Sequence, residues 1–456
     1  MDVVVPLLAA LNAVMVEAAL FAAAGFLLLG LGDLAVDAIW LGLAAAGRTR
    51  PRLLADLPEE ESGLLAVFVP AWDEAAVIGP MLRGALCAWG EGDYRLYVGC
   101  YPNDPATLAE VRAADDGSGR VRIVIGPLPG PTTKADCLNR LWEALRSDEA
   151  AEGRRALAVV LHDAEDVVHP AELALFRRLA GGFDLVQLPV LPLIHPDARW
   201  VGGHYADEFA QAHGKELPVR QWLGAGLPSA GVGCAFSRGL LERLAADGGP
   251  FDAESLTEDY ELGLKLREAG GRSLFARVVP ARGTALIATR EFFPGTLRTA
   301  VGQKARWMAG IALSGWDRLG WSGGAAERWM RLRDRQSLLA AVILAAGYFA
   351  LLLWLLLAPA RVIAEVDPAP LPPVLSLLVW LNLCLLAWRM TMRAAFTAAA
   401  HGWREGLRSL PRAVVGNVVA IGAAAAALAR YRAIRRTGRA PWGKTAHVFP
   451  ASVPAE

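Results

Sequence analysis

The feature that most constrains this chain is the placement of its long apolar runs, which lie at the two ends and leave a mixed stretch between them. A helix needs about 20 consecutive apolar residues to cross a bilayer. Pro6 to Leu31, Ser337 to Ala358 and Leu371 to Trp388 are each close to that length or longer. Charged residues supply only 20% of the chain, which is low for a soluble enzyme. We therefore expect a membrane protein that carries a soluble domain between hydrophobic ends.

Residues 1–50 are predicted to form a retained membrane anchor followed by an interfacial helix. Asp33 to Ala46 continues the first apolar run as a shorter amphipathic segment, and three arginines follow within residues 48–52. Met1 to Pro6 contains an aspartate and no basic residue, so it lacks the basic start of a secretory signal. Because Arg and Lys are enriched at the cytoplasmic ends of membrane helices, the domain after residue 50 is predicted to be cytoplasmic.

Residues 321–456 are predicted to contain two membrane spans, an interfacial or re-entrant helix and a basic cytoplasmic tail. The loop between the two spans holds Glu365 and Asp367 and no lysine, which favours the outer side. A third apolar run, Ala413 to Ala429, has arginines on both flanks: Arg389, Arg393, Arg404, Arg408 and Arg412 on one side, and Arg430, Arg432, Arg435 and Arg436 on the other. Since a single crossing would place one basic flank outside, an in-plane or re-entrant helix is favoured over a third span.

Residues 51–320, between the membrane parts, are predicted to form one cytoplasmic α/β domain. Short apolar runs alternate there with helical patterns, as in the βαβ units of a parallel sheet. The predicted helices include Lys134 to Arg146, Pro170 to Leu179 and Tyr260 to Ala269. The predicted strands are Leu64 to Val69, Arg95 to Gly99, Val121 to Ile125, Ala156 to Leu161 and Leu185 to Leu188.

Charge and cysteine usage exclude several functions. The 46 Lys and Arg residues are balanced by 46 Asp and Glu residues, so no global basic charge favours nucleic acid. The arginines concentrate beside apolar runs, where membrane lipids are the expected partner. The five cysteines are scattered without a C-x-x-C pair, which argues against a disulfide framework and a zinc site. We expect them to be reduced, buried small hydrophobes.

An acidic turn, Leu161 to Asp166, follows one of the predicted strands. Carboxylates at the C-terminal end of a parallel strand lie in the crevice where such sheets bind ligands. Asp163 and Glu165 supply two of the hard oxygen ligands that a divalent cation on a diphosphate requires. The alternative is a solvated acidic turn without chemistry.

A second acidic motif, Thr257-Glu258-Asp259, begins the helical stretch that starts at Tyr260. Transfer to a hydroxyl acceptor needs a carboxylate that takes up the proton, and a helix start can hold one rigidly. Thr257 or Asp259 could equally be an N-cap with no catalytic role, and for this motif alone capping is the favoured interpretation.

A third motif, Gln303 to Trp307, precedes the first late apolar run. Gln303 and Arg306 can bind phosphate oxygens, and the indole of Trp307 can stack on a sugar ring. In isolation the favoured interpretation is a basic and aromatic belt at a membrane interface.

The order of these three motifs between membrane segments resembles the processive family 2 glycosyltransferases, whose relatives include cellulose and hyaluronan synthases. The likeness covers about Leu64 to Leu319 and the membrane frame. Val69 to Glu74 is similar to the family's opening strand and loop, Lys134 to Asn139 to its segment beside the donor, and Gly231 to Arg238 to its acceptor-side loop. The resemblance implies a GT-A (Rossmann-like) fold for the α/β domain, framed by transmembrane and interfacial helices.

The resemblance also implies roles for single residues. It implies that Asp259 is the catalytic base, with Glu258 beside it, and that Asp163 and Glu165 bind Mg²⁺ or Mn²⁺. The resemblance implies contacts with the donor nucleotide for Glu74, Asp104, Lys134 and Asp163. It implies contacts with the acceptor and diphosphate for Gln303, Arg306 and Trp307. Two positions depart from the family pattern. Glu165 stands where Asp is usual, and Asp104 is the candidate for a contact that usually comes from an Asp-Asp-Gly-Ser turn.

Within this family the chain most closely resembles the NfrB-type inner-membrane glycosyltransferases. The segments that carry this likeness are Tyr101 to Thr107, Leu161 to Pro170, Asp207 to Ala210 and Trp442 to Pro450. The C-terminal regulatory domain that such proteins can bear is not expected, since the chain ends at Glu456.

The expected function is inverting transfer from a nucleotide-sugar donor, UDP-linked, to a growing polysaccharide at the bacterial inner membrane. An outer-membrane partner for export would fit this function. Two alternatives stay open: transfer of one sugar to a lipid carrier, and a non-catalytic membrane scaffold or receptor component. Asp163, Glu165 and Asp259 argue against a scaffold, because a decayed transferase should have lost some of these carboxylates.

Overall fold

The computed structural model describes residues 4–245, 248–368, 370–437 and 447–450. Its strands are β1 (Arg52–Leu53), β2 (Leu64–Pro70), β3 (Tyr94–Cys100), β4 (Val121–Ile125), β5 (Ala156–Leu161), β6 (Leu185–Gln187), β7 (Val190–Leu193), β8 (Cys234–Ser237), β9 (Ser273–Phe275), β10 (Val278–Val279) and β11 (Thr289–Phe292). Its helices are α1 (Val4–Ala45), α2 (Ile78–Trp89), α3 (Pro105–Ala114), α4 (Lys134–Glu152), α5 (Glu172–Ala180), α6 (Val201–Gln211), α7 (Leu217–Trp222), α8 (Arg238–Leu244), α9 (Glu258–Glu268), α10 (Leu297–Met308), α11 (Gly315–Leu319), α12 (Ala325–Arg335), α13 (Ser337–Ile363), α14 (Pro373–His401) and α15 (Trp403–Thr437).

A seven-stranded mixed sheet forms the centre of the domain, in the order β4-β3-β2-β5-β8-β6-β9. β2 is parallel to both β3 and β5, whereas β8 is antiparallel to β5 and β6. Every residue of β2 is buried, because the sheet is covered on both faces. This explains why the strand is a continuous apolar run rather than an alternating one. The five strands predicted from the sequence are present, with ends that match or differ by a single residue.

Helices cover the two faces of the sheet and enclose separate hydrophobic cores. Alternate residues of a strand point to opposite faces, so Leu65 and Val67 belong to one core and Ala66 and Phe68 to the other. α2 and α5 complete the first core, and α4, α8 and α9 complete the second. Burial of one large apolar side chain contributes roughly 1.5–3 kcal/mol. The domain is therefore an α/β sandwich of the Rossmann-like kind that the sequence predicted.

The helix boundaries differ from the predicted ones in informative ways. α4 continues beyond the predicted end at Arg146 to Glu152. Gly153 follows and ends the helix, because its φ of 66° is a left-handed conformation. α5 begins at Glu172 rather than Pro170. α9 begins two residues earlier than predicted, so Glu258 lies in its first turn rather than in the preceding loop.

Two short parallel strand pairs flank the main sheet and were not predicted. β7 pairs with β11, and β1 pairs with β10. Each pair joins segments that are far apart in the sequence, and two to four residues give too little periodicity for prediction. The β11 pair matters for the site, because a bridge between Val167 and Arg290 ties it to the chain just after the acidic turn.

Four helices of the described residues are long and apolar enough to cross a membrane: α1, α13, α14 and α15. α1 packs against α13 and α14. A Cβ atom at Gly25 of α1 would lie 2.7 Å from the side chain of Ile343, so the glycine permits close approach of α13. The amide of Asn382 donates to the carbonyl of Ala23 at 2.9 Å and joins α14 to the same face of α1.

The second half of α1 is a docking segment. The helix has 42 residues and is roughly 63 Å long, about twice the hydrocarbon thickness of a bilayer. Its Asp33 pairs with Arg333 at 2.9 Å, and its Asp37 pairs with Lys215 at 2.5 Å. The amphipathic continuation that the sequence predicted is thus helical, and its carboxylates bind the helix to α12 and to the α/β domain.

α15 is a single uninterrupted helix that packs against α14, α10 and α6. A re-entrant hairpin needs a turn, and α15 contains none. Of the two predicted arrangements, α15 is therefore compatible only with the in-plane helix. α15 is also long and apolar enough to cross a membrane, and the in-plane orientation stays a prediction. Most of the predicted basic tail, including residues 438–446, lies outside the described residues.

Two arginines that the sequence assigned to a cytoplasmic flank have a different role. Arg393 of α14 and Arg412 of α15 both bind Asp207 of α6, at 3.0 Å and 2.7 Å. Asp207 and Arg412 are fully buried. These two arginines therefore join α14 and α15 to the α/β domain, and the prediction that they face lipid headgroups was wrong.

The cysteine expectation holds in part. All five cysteines are free, and Cys100, Cys137 and Cys234 are buried. Cys87 and Cys384 are exposed, so the prediction of burial was wrong for them. Cys87 lies on the outer side of α2 and Cys384 on α14, where few residues are covered by the rest of the chain.

Candidate active site

The site lies at the edge of the sheet where β2 and β5 end. These strands are parallel neighbours, with Phe68 paired to Leu161, so the loops that follow them emerge side by side. Glu74 follows β2, and the acidic turn follows β5. The crevice beyond the carboxyl ends of the strands is thus where the structure brings the predicted residues together.

A buried histidine shapes the acidic turn. The ring nitrogens of His162 lie 2.7 Å from Asp166 Oδ2 and 2.7 Å from Glu172 Oε1. Burial opposes the charge on His162, but the two carboxylates raise the pKa of the imidazole to about 10. The backbone amide of Asp163 donates to Asp166 at 3.0 Å. This network fixes the turn and leaves Asp163 and Glu165 to face the crevice.

Lys134 lies between the acidic turn and the start of α9. Its Nζ atom is 2.5 Å from Asp163 Oδ1. Burial opposes the ammonium charge, but the negative charges of Asp163, Glu258 and Asp259 outweigh burial and raise the pKa of Lys134. The lysine is therefore a fixed cation shared by the predicted donor-binding turn and the predicted base.

Glu258 and Asp259 form the first turn of α9. Burial and then the charge of Asp259 raise the pKa of Glu258 to about 7. Burial also raises the pKa of Asp259, although Lys134 opposes this. Gly231 packs against the base: its φ is 74°, and a Cβ atom there would come within 2.3 Å of Asp259 Oδ2. Only glycine leaves room for the Asp259 carboxylate at this point.

α10 carries Gln303, Arg306 and Trp307 and approaches the same carboxylates. Gly310, just after α10, allows close packing, because a Cβ atom there would lie 2.5 Å from the side chain of Thr257. Gln303 is 8% exposed, and its Oε1 atom is buried without a hydrogen-bond partner among the described residues. The positive charge of Arg306 acts on both Glu258 and Asp259 and lowers their pKa values against the effect of burial.

Trp307 lies in an aromatic cluster rather than alone. Its ring is edge-on to Tyr205 at 6.1 Å and to Phe293 at 6.4 Å between centroids. The indole is half-buried, so one part supports the cluster while another part remains accessible. Stacking of Trp307 on a sugar stays a prediction.

Asp104, which follows β3, binds the loop that follows β2 and carries Glu74. Asp104 caps α3 by accepting from the amide of Thr107, and its other oxygen accepts from the amide of Asp73 at 2.6 Å. The amide of Glu74 donates to the Thr107 hydroxyl at 2.9 Å. Asp104 therefore fixes the shape of this loop, and its direct contact with a nucleotide stays a prediction.

A cluster of potential metal ligands is formed by Glu74, Glu165 and His447, whose ligand atoms all lie within 4.8 Å of one another. His447 Nδ1 lies 2.6 Å from Glu165 Oε1. Glu165 raises the pKa of His447 against the effect of burial, and a bound cation would take the place of that proton. Two carboxylates and an imidazole suit a divalent cation. The structure thus brings Glu165 to this cluster, whereas its predicted co-ligand Asp163 faces Lys134.

Three residues of the site were missed by reasoning from the sequence. His447 belongs to the Trp442 to Pro450 segment, which showed family likeness but no assigned chemistry. Glu291 on β11 is buried, and burial together with the charges of the acidic turn raises its pKa well above the usual range. Arg430 of α15 lies near Arg306 with its Nη1 atom buried and without a hydrogen-bond partner in the described chain. Only the resemblance at His447 offered a signal that could have found one of them.

The family of the chain follows from a comparison with known proteins. Residues 62–310 match the family described as glycosyltransferase like family 2. Because this match covers more than half of the chain, the chain belongs to that family. The predicted GT-A fold and the predicted family 2 glycosyltransferase are confirmed.

The relatives refine this membership. The chain is 34% identical over 459 residues to Bacteriophage adsorption protein B of Escherichia coli (strain K12) and, equally, to Bacteriophage N4 adsorption protein B of Escherichia coli O157:H7. Each match covers 92% of this chain and 60% of the relative, so the chain spans about three fifths of their length. The resemblance to the NfrB type is thereby confirmed.

Solved structures are more distant. A mannosyltransferase from Pyrobaculum calidifontis, determined in complex with GDP-Man and Mn²⁺, is 18% identical with a TM-score of 0.48. That match covers 92% of this chain and 99% of the mannosyltransferase.

Proposed function

We propose that this protein is an inverting hexosyltransferase that uses a UDP-linked sugar as its donor. The position of Lys134 carries the proposal. Its ammonium is paired with Asp163 of the acidic turn and interacts with the charges of Glu258 and Asp259. Lys134 is therefore the cation for two groups in a single crevice: Asp163, which would face the donor diphosphate, and Asp259, which would accept a proton.

The proposed reaction uses this arrangement. An acceptor hydroxyl oxygen attacks the anomeric carbon of the donor sugar, and the bond from that carbon to the diphosphate oxygen breaks on the opposite face. Asp259 takes the proton of the hydroxyl as the new glycosidic bond forms. The nucleoside diphosphate departs with the bonding electrons, and Lys134 and Arg306 stabilise its developing charge.

A divalent cation, Mg²⁺ or Mn²⁺, is part of the proposal. Glu74, Glu165 and His447 would hold it, with Asp163 beside them. When bound, such a cation supplies positive charge to the departing diphosphate. The donor set on this chain fits the ion, because two carboxylate oxygens and a ring nitrogen already converge.

The proposed acceptor is a growing polysaccharide, with processive addition at the cytoplasmic face of the bacterial inner membrane and export through an outer-membrane partner. α10, which carries Gln303 and Arg306, packs directly against α15, and this supports transfer beside membrane helices. A second candidate is addition of one sugar to a lipid-linked phosphate. Arg430 favours it, because its guanidinium lies near Arg306 on the side of α15, and paired guanidiniums suit phosphate oxygens.

The test is release of nucleoside diphosphate by the purified, detergent-solubilised protein. A panel of UDP-, GDP- and TDP-linked hexoses would be incubated with Mn²⁺ or Mg²⁺ and a membrane-lipid extract as acceptor. We expect release from at least one UDP-sugar, and product size separates a polymer from a single-sugar lipid.

Two variants give the test its control. Asp259→Asn should lose release, whereas Asp197→Asn, which changes a carboxylate that is 93% exposed, should retain it. Release from no donor by the folded protein, or full release by Asp259→Asn, would contradict the proposal.

A further inference from the structure

A cleft of about 240 Å³ opens where the end of α1 meets the catalytic domain, away from the crevice described above. Its basic lining consists of Arg48, Arg50, Arg52 and Arg277. The first three belong to the linker after α1, and Arg277 lies between β9 and β10 of the catalytic domain. Guanidinium groups from two distant parts of the chain therefore line one cavity.

These four arginines are not neutralised by the protein. No Asp or Glu lines the cleft, and none of the four makes an ion pair with any residue of the described ranges. The Nε atom of Arg277 is buried without a hydrogen-bond partner in those ranges, and burial lowers the pKa of Arg277. Arg48, Arg50 and Arg52 are exposed and Arg277 is half-buried, so four guanidinium charges converge on one cavity without a counter-charge among the described residues. Like charges that converge in this way repel one another, and a bound anion would offset that repulsion.

The cleft is built by backbone contacts and is not a chance approach of mobile side chains. β1 and β10 pair in register, and the amide of Arg52 donates to the carbonyl of Arg277 at 3.0 Å. In return, the guanidinium of Arg277 donates to the carbonyl of Thr49 at 2.7 Å. The basic linker is thereby fixed against the catalytic domain.

The rest of the lining indicates what kind of anion fits. Leu43 comes from the end of α1, a helix that could cross a membrane, and Trp222 of α7 is 51% exposed. Trp side chains with one apolar and one polar part prefer the membrane interface. The cavity is also smaller than the roughly 300–1,000 Å³ of sites that enclose drug-sized ligands. A small headgroup with an apolar tail fits better than a whole soluble nucleotide.

We propose that this cleft binds the phosphate of an anionic membrane phospholipid, with the headgroup on the four arginines and the acyl ester region against Leu43 and Trp222. The bound lipid would hold the catalytic domain against the bilayer through the linker that joins it to α1. The proposal is independent of the transferase reaction, because none of these residues lies at the catalytic crevice.

The experiment measures lipid retained by the purified full chain. The protein in mild detergent is supplied with equal amounts of phosphatidylglycerol and phosphatidylcholine, and native mass spectrometry counts the bound molecules of each. We expect the wild type to retain phosphatidylglycerol preferentially. We expect the Arg48→Gln/Arg50→Gln/Arg52→Gln variant to reduce that retention by on the order of tenfold or more.

Matched variants separate a site from net charge. Arg122→Gln/Arg154→Gln/Arg155→Gln removes three exposed arginines from elsewhere on the domain and should retain the lipid. Arg277→Gln should weaken retention and Arg277→Lys should preserve most of it. Equal retention by the linker variant, or equal retention of phosphatidylcholine, would overturn the proposal.

A competition experiment distinguishes a lipid phosphate from the phosphate of a soluble anion. If soluble glycerol phosphate or UMP at millimolar concentration displaces the phosphatidylglycerol, the cleft is a site for soluble anions and the lipid assignment is wrong. Persistence of the lipid against both competitors supports the proposal.

Discussion

Two buried clusters of charge in this molecule differ in how their charges are balanced. At the junction of α6 with α14 and α15, Asp207 is bound by Arg393 and Arg412 and by the Thr397 hydroxyl, and Arg412 also binds Glu405, so two cations balance two carboxylates. At the catalytic crevice, negative charges are in excess. The carboxylates there are Glu74, Asp163, Glu165, Asp166, Glu258, Asp259 and Glu291, and the cations that face them are Lys134, Arg306, His162 and His447.

The difference separates structural from functional charge. A satisfied buried ion pair holds elements in place, and removal of one partner leaves the others uncompensated. An excess of like charges raises the pKa values of carboxylates and costs stability unless a ligand supplies the missing positive charge. We therefore interpret the α6 cluster as a structural joint and the crevice as a place kept ready for a cation and a sugar nucleotide.

The largest effect on stability is expected at the joint. Asp207→Asn keeps the shape of the side chain but leaves the buried Arg393 without a counter-charge and Arg412 with Glu405 alone, which should lower the free energy of unfolding by about 3–5 kcal/mol. Thermal melts in one detergent measure this. The control Asp93→Asn breaks an exposed pair with Arg154 and should cost about 1 kcal/mol or less. Equal melting of Asp207→Asn and wild type would mean that the joint contributes nothing.

The next effect is on the rate at the crevice. Lys134→Met removes the cation shared by the acidic turn and the base, and it should reduce transfer by about 10²–10³-fold, as loss of one electrostatic stabiliser does in other enzymes. Initial rates of diphosphate release measure this. The control Lys265→Met changes a half-exposed lysine paired with Asp252 and should leave the rate within a few fold. A rate near wild type for Lys134→Met would remove the lysine from the mechanism.

A smaller effect concerns the cation. His447→Ala deletes one of the three converging ligands and should raise the Mn²⁺ concentration for half-maximal activity by on the order of tenfold or more, with most of the maximal rate restored at saturation. A metal titration of His195→Ala, which alters an exposed turn, should match the wild type. An unchanged Mn²⁺ requirement in His447→Ala would place the cation elsewhere.

The smallest effect is a displacement of the pH profile. The pKa of Glu258 is raised to about 7, and that of Asp259 is raised as well, so the pair takes up a proton as the pH falls through about 7. Since the base must be unprotonated, kcat should fall below that pH. Glu258→Gln removes the like charge beside Asp259 and should move the acid limb to lower pH, which a profile from pH 5.5 to 8.5 would show. A limb that stays in place would contradict the coupling of the two carboxylates.

The sheet and most of the crevice could be predicted from the sequence for a physical reason. Buried parallel strands are continuous apolar runs, and β5 is the clearest example. The acidic turn follows it directly. The ends of parallel neighbours share one edge, so the residues after β2 and β5 had to meet. What periodicity could not give was long-range pairing. His447 lies far from Glu165 in the sequence, so the cluster of ligands that they form can be found only in the three-dimensional structure.

The membrane side was less predictable because charge alone does not reveal a partner. Arg393 and Arg412 look like any arginines beside an apolar run, and the sequence placed them among lipid headgroups. In the structure they are bound to Asp207. For Arg48, Arg50 and Arg52 the same expectation stays a prediction: they have no carboxylate partner within the described chain and line a cleft beside α1.

The excess charge of the crevice is tested most directly by the melting temperature of Asp259→Asn. The folded-state pKa of Asp259 is raised, so its ionised form destabilises the fold at high pH and the protonated form does not at low pH. The asparagine keeps an oxygen that can accept from the Tyr260 amide. In the absence of metal and nucleotide, Asp259→Asn should melt above the wild type at pH 8 and lose that advantage toward pH 4, while transfer is lost throughout. A variant that melts below the wild type at pH 8 would show that Asp259 is a structural partner, as Asp207 is.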